Sequence, residues 1–202
     1  MAGVGSIDMG WGWDMLLRAW QGFDIPEGWR SEIREGGITM TPPRTRSHGV
    51  IAEVTLRALL SAVPRDWGVC QLLGVAVLCM EVLYMPDLAV TPAAALAEGS
   101  DDDPVSGDRL KLVVEIVPSG NAPYDRMSRR WAYAHAPVPL YLLIDRFDEH
   151  GPAVTLFSDP MGGDYRHSER VPFGEPIVIP APFDLQLETA EFPMPPRQAS
   201  SA

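Results

Sequence analysis

The stretch Leu110-Lys111-Leu112-Val113-Val114-Glu115-Ile116-Val117 decides how this chain is read. It is short, rich in β-branched residues and followed by Pro118-Ser119-Gly120, so it predicts a strand over 110–117. A carboxylate in its middle, Glu115, is expensive to bury unless something cationic accompanies it. A second carboxylate, Asp87, follows Pro86 at the mouth of another apolar run, Leu88-Ala89-Val90. Two strand-borne carboxylates that converge would hold a hard divalent cation through oxygen.

Working outward, the helical pattern resumes at once. Residues 124–136 predict a helix joined to the Glu115 strand by the loop Pro118 to Pro123, and Leu140 to Asp145 predicts the next strand. Upstream, 29–34 and 37–41 read as two strands around a Glu35-Gly36 turn. Ser47 reads as the N-cap of an apolar helix over 48–62 that Pro64 stops. Strands are expected at 69–73, 75–80 and 88–91, and a short helix at 13–20. The acidic stretch 97–108 reads as a solvated loop, Asp101-Asp102-Asp103 included. Short β segments are expected at 154–157, 165–171, 177–179 and 185–187, and a disordered tail at 193–202. The element order predicts an α/β or α+β fold built on one mixed sheet. The chain divides into an aromatic, flexible segment over 1–28, a domain over 29–190 and a tail over 191–202.

Composition sets limits. A length of 202 residues with 46% apolar and 21% charged residues is that of one globular domain with a real core. The net charge of −11 excludes a broad basic surface for non-specific nucleic-acid binding, but leaves room for a local cationic groove. Arg126, Arg129 and Arg130 form the densest basic cluster. Cys70 and Cys79 lack metal spacing and read as small buried hydrophobes. Residues 1–12 have no signal-peptide pattern, and no apolar run reaches the roughly 20 residues that span a bilayer. A cytoplasmic protein is expected.

On the predicted helix, Asp125, Arg129 and Tyr133 are four apart and share one face. Arg129 is thus the cation expected nearest Asp87 and Glu115, where it would stabilise charge on a phosphodiester under attack. The plainer reading is an Asp125–Arg129 helix salt bridge worth a few tenths of a kcal/mol. His48 reads first as a residue near a helix start that packs or hydrogen-bonds locally, with substrate contact or proton transfer as the alternative. Glu53, one helix away, either reaches the site or lies on an exposed edge. The tryptophans read as core or interface anchors.

Several segments in order resemble the Uma-two family of restriction-endonuclease type, in the PD-(D/E)XK nuclease superfamily. They are Glu32 to Ile38, Pro42-Pro43 with His48, Pro86-Asp87-Leu88-Ala89-Val90, Leu112 to Ser119, Tyr124-Asp125-Arg126 to Tyr133, and Val138 to Asp145. The resemblance implies a curved mixed β-sheet with flanking helices and a Mg²⁺-dependent phosphodiesterase, with Mn²⁺ as an alternative ion. It implies Asp87 and Glu115 as metal ligands, with the carbonyl of Ile116 as a further ligand, and nucleic acid, DNA first, as partner. The superfamily's lysine two positions after the glutamate is Val117 here, and the family's helix lysine is Arg129. Arginine stays protonated and cannot act as a base, but it can orient a phosphate. Two other readings stay open: a catalytically attenuated relative that binds or regulates, and a homodimer joined through the aromatic N-terminal segment.

Overall fold

Five consecutive buried residues, Leu112–Ile116, form the strand expected from the apolar run. It lies inside a six-stranded sheet because both its faces are covered, which is why its sequence does not alternate. The chain is described by a computed structural model over residues 6–8, 12–118 and 123–195. The expectations for 1–5, 9–11, most of the 118–123 loop and the tail from 196 onward fall outside the described residues.

In chain order the strands are β1 (Ser6–Asp8), β2 (Arg30–Arg34), β3 (Gly37–Thr41), β4 (Trp67–Cys70), β5 (Val75–Val77), β6 (Val82–Tyr84), β7 (Leu88–Pro92), β8 (Val105–Ser106), β9 (Leu112–Ile116), β10 (Leu140–Asp145), β11 (Ala153–Met161), β12 (Asp164–Pro172), β13 (Ile177–Ile179) and β14 (Leu185–Leu187). The helices are α1 (Trp13–Gln21), α2 (Arg46–Ala62), α3 (Ala93–Leu96) and α4 (Pro123–His135). The fold is α+β. Among the described residues its strands divide into two six-stranded sheets, ordered β1-β3-β2-β6-β5-β8 and β12-β11-β10-β9-β7-β4, plus the ribbon β13-β14. Where one mixed sheet was expected, there are two six-stranded sheets and a ribbon.

The second sheet is mixed. β9 runs parallel to β10, a pairing that needs a crossover, and α4 supplies it. β9 runs antiparallel to β7, with Leu88 opposite Val114. Continuing that register by one residue sets Asp87 opposite Glu115. Strand alternation then sorts the faces. Leu88, Val90, Leu112, Val114 and Ile116 pack with Ile51 and Leu59 of α2. Ala89 and Val113 face the other way, toward Ala132 and Tyr133 of α4 and toward Val75, Val77 and Tyr84 of the first sheet. Asp87 and Glu115 share this second parity. The site is thus placed where α4 and the first sheet meet the second.

α1 lays Leu16 on Ile33, Ile38 and Leu83, covering one face of the β2–β3 hairpin. Glu35 and Gly36, with φ of 53° and 72°, form the expected turn. Local readings differ at a few points. The α2 cap is Thr45, whose hydroxyl accepts from the His48 N–H, so the helix begins before Ser47. The strand expected over 75–80 ends at Val77. A 3₁₀ turn over Leu78–Met80 and a left-handed Glu81 reverse the chain into β6, which periodicity alone does not reveal. That turn exposes Cys79, so it is not the buried hydrophobe expected; both cysteines are free thiols. No helix among the described residues is long and apolar enough to cross a membrane.

Candidate active site

Asp87 and Glu115 are 2% and 5% exposed, and both are held by named donors. Asp87 Oδ2 accepts the Ile116 N–H at 2.8 Å, which ties β7 directly to the residue after Glu115. Asp87 Oδ1 meets Arg30 Nη1 at 2.7 Å and His48 Nε2 at 2.8 Å, with Arg44 Nε further off at 3.9 Å. Glu115 Oε1 accepts from Arg129 Nη1 at 2.8 Å and from the Tyr133 hydroxyl at 2.7 Å.

The cation comes from α4. Arg129, Ala132, Tyr133 and Ala136 are buried at helical spacing, so an arginine occupies a position that usually faces a core. Its Nη2 donates to both oxygens of Glu32, at 3.0 and 2.8 Å. Its Cζ stands 4.6 Å from the centroid of the Tyr84 ring, a cation–π contact. Glu32 Oε1 also accepts the Met85 N–H at 3.0 Å. One guanidinium therefore joins β2 of the first sheet to β9 of the second.

The two carboxylates titrate in opposite directions. Burial alone would raise Asp87, but the hydrogen bond and charge of His48, with Arg30 and Arg44, hold it down at about 2. At Glu115 burial wins. It is pushed up to about 7, with the charges of Asp87 and Glu32 adding to the rise and Arg129 and Tyr133 opposing it. Burial also raises the Tyr133 hydroxyl, so it remains a donor to Glu115. Because ionised Asp87 can only accept, His48 Nε2 carries the proton of their shared bond. Two carboxyl groups with separated protonation behaviour in one site mark it as a candidate for chemistry.

Of the expected residues, Asp87, Glu115 and Arg129 are brought together. The rest of the basic cluster is not: Arg126 pairs with Asp145 at 2.9 Å and Arg130 with Asp164 at 3.0 Å. The side chain of Asp125 falls outside the described residues. Glu53 is exposed and pairs with Arg57 on its own helix, so it is the edge residue. His48 does more than pack locally; it crosses to Asp87, 39 residues away. Sequence reasoning missed Arg30 and Glu32. They alternate with Ile33 on β2, and the polar face of a hairpin ordinarily faces water. Here that face is covered, and four consecutive residues, Arg30 to Ile33, are buried.

Among the described residues no three His, Cys, Asp or Glu side chains are set to hold a metal ion. Asp87 and Glu115 offer hard oxygen donors, and Asp87 Oδ2, with one protein donor, keeps acceptor capacity. That donor chemistry fits Mg²⁺, which commonly takes one or two carboxylates and fills its sphere with water and phosphate oxygens.

A family model described as "Uma2: Putative restriction endonuclease" matches residues 13–191. A solved structure from Anabaena variabilis ATCC 29413, titled as "a putative nuclease belonging to DUF820", superposes with a TM-score of 0.66 at 16% identity. The alignment covers 88% of this chain and 96% of that one, and at such identity it shows the fold alone. No curated protein matches.

Proposed function

This chain belongs to the Uma2 family, and from that premise we propose that it is a Mg²⁺-dependent endonuclease of the PD-(D/E)XK type, hydrolysing phosphodiester bonds of nucleic acid, DNA first. The observation that carries the reading is the meeting of Asp87 and Glu115 beside a buried guanidinium. Asp87, Glu115 and the Ile116 carbonyl are the residues that would hold the ion; Mn²⁺ is the alternative. When bound, the cation supplies an activated water and neutralises charge on the phosphate.

The side chains divide the remaining work. Asp87 is ionised at any working pH, locked by Arg30, His48 and the Ile116 amide. Glu115, held up by burial, has to lose its proton to serve as a ligand, so acid opposes metal binding there. Arg129 cannot accept a proton, so it acts as a fixed positive charge toward the phosphate and as the counter-ion that keeps Glu32 and Glu115 in place. Tyr133 orients Glu115 by donating to Oε1.

The test is cleavage of supercoiled plasmid with Mg²⁺ or Mn²⁺ by the natural protein and by Asp87→Asn and Glu115→Gln. Loss of nicking in both variants supports the reading. Equal trace cleavage by all three proteins defeats it.

One observation favours a second reading, a relative that keeps the fold to bind or regulate. Arg129 occupies both oxygens of Glu32 and one of Glu115, so the carboxylates are neutralised from within. A partner bound equally by the natural protein and Asp87→Asn, without cleavage by either, would support it.

A further inference from the structure

Three cationic side chains surround Asp87, and one of them makes no hydrogen bond to it. Asp87 Oδ1 shares a hydrogen bond with His48 Nε2 at 2.8 Å and an ion pair with Arg30 Nη1 at 2.7 Å. Arg44 stands behind them at 3.9 Å, beyond hydrogen-bond range, and no other carboxylate among the described residues pairs with it. Its Nε is buried and has no hydrogen-bond partner. A buried donor without a partner forfeits its hydration without replacement. Arg126 and Arg130 Nε share that lack, but each lies within 3.0 Å of a carboxylate oxygen, as Arg44 Nε does not. In a chain of net charge −11, a surplus guanidinium beside the acidic site is out of keeping with the rest of the surface.

The setting suits an anion that arrives from outside. Arg44 lies in the segment between β3 and α2, and its side chain is 18% exposed, so it is walled by protein yet open at one side. Arg46, two residues on, is exposed and has no ion pair among the described residues. A guanidinium presents a planar fork that matches two phosphate oxygens. The charge of Arg44 helps hold Asp87 ionised, but no hydrogen bond to Asp87 occupies the guanidinium, whose Nε is left for another acceptor.

We propose that Arg44 is a positioning residue that anchors a backbone phosphate of the nucleic-acid strand next to the Asp87 site. The inference rests on the nuclease reading, and it assigns strand docking to the β3–α2 segment rather than to α4. Arg44 touches a phosphate beside the scissile one and sets where the strand lies. It takes no part in bond breaking.

The experiment is fluorescence polarisation of a labelled DNA duplex with Ca²⁺ in place of Mg²⁺, across a salt series. Plasmid cleavage is measured in parallel. Arg44→Gln is expected to weaken binding about tenfold and to lower the slope of log K against log salt by about 1. Arg44→Lys keeps the slope and recovers part of the affinity. Arg57→Gln, which removes an exposed cation from the far part of α2, leaves the slope unchanged. The thermal midpoint of Arg44→Gln falls only slightly, because Arg30 and His48 still hold Asp87. Natural affinity and slope in Arg44→Gln overturn the proposal while leaving the nuclease reading intact. So does a strongly lowered midpoint with unchanged binding, which would make Arg44 a structural counter-ion. Failure of the natural protein both to bind and to cut overturns the two together.

Discussion

The Arg129 guanidinium holds both carboxylate oxygens of Glu32, 97 residues away in the chain, at 3.0 and 2.8 Å. Through its other terminal nitrogen it also holds Glu115. This staple sets α4, β2 and β9 around one charge, so the geometry of the site and the docking of the two sheets depend on the same residue.

Arg129→Met should therefore be severely destabilising. Glu32 and Glu115 would remain buried without that counter-ion, a situation that costs about 3–5 kcal/mol. Arg129→Lys keeps a charge but cannot span three oxygens, so an intermediate loss of stability is expected. On the proposed nuclease reading, plasmid cleavage should also quicken, because a carboxylate is freed for the proposed metal site. Urea denaturation and initial nicking rates measure the two effects. A lysine variant as stable as the natural protein would contradict the staple.

Glu115 makes stability pH-dependent in a defined direction. Its folded pKa of about 7 lies above the ordinary 4.5, so its contribution is fully present below 4.5 and is lost as pH rises through 7. The thermal midpoint of the metal-free protein should fall across that window. Glu115→Gln should flatten the fall, and a curve of unchanged steepness would show that another group is responsible.

Asp87 acts at the acid end. With its folded pKa at about 2, below the ordinary 3.8, its contribution is complete above 3.8 and disappears as pH falls through 2. His48→Ala removes the hydrogen bond and charge that most oppose burial there. The acid-unfolding midpoint, followed by circular dichroism, should move to higher pH. Arg30→Gln should move it the same way by a smaller amount.

Two glycines separate packing from propensity. A Cβ on Gly107 would stand 2.6 Å from Ala136 Cβ and 3.4 Å from the Ala76 carbonyl, so Gly107→Ala should cost about 1–3 kcal/mol. Because Ala136 follows α4 directly, cleavage should weaken too. A Cβ on Gly49, inside α2, meets nothing within 4 Å, and Gly49→Ala should add roughly 0.5–1 kcal/mol. Thermal denaturation of both variants checks the pair.

The sequence alone carried the elements and half of the site. Continuous apolar runs marked β9 and β10, the Glu35-Gly36 pair marked the hairpin turn, and helical spacing placed Arg129 with Tyr133. These are local patterns, set by backbone geometry over a few residues. Asp87 and Glu115 stood out for the same reason, as charges at the edge or middle of runs that must be buried. Tertiary structure decided the rest. Whether the polar face of β2 meets water or protein depends on what packs over it, and here Arg129 and Asp87 do, drawing in Glu32 and Arg30. His48 and Arg44 gained their roles only when α2 closed on the second sheet beside β7. Such convergence has no periodic signature, because the energy that fixes it comes from pairing charges removed from water by segments distant in the chain.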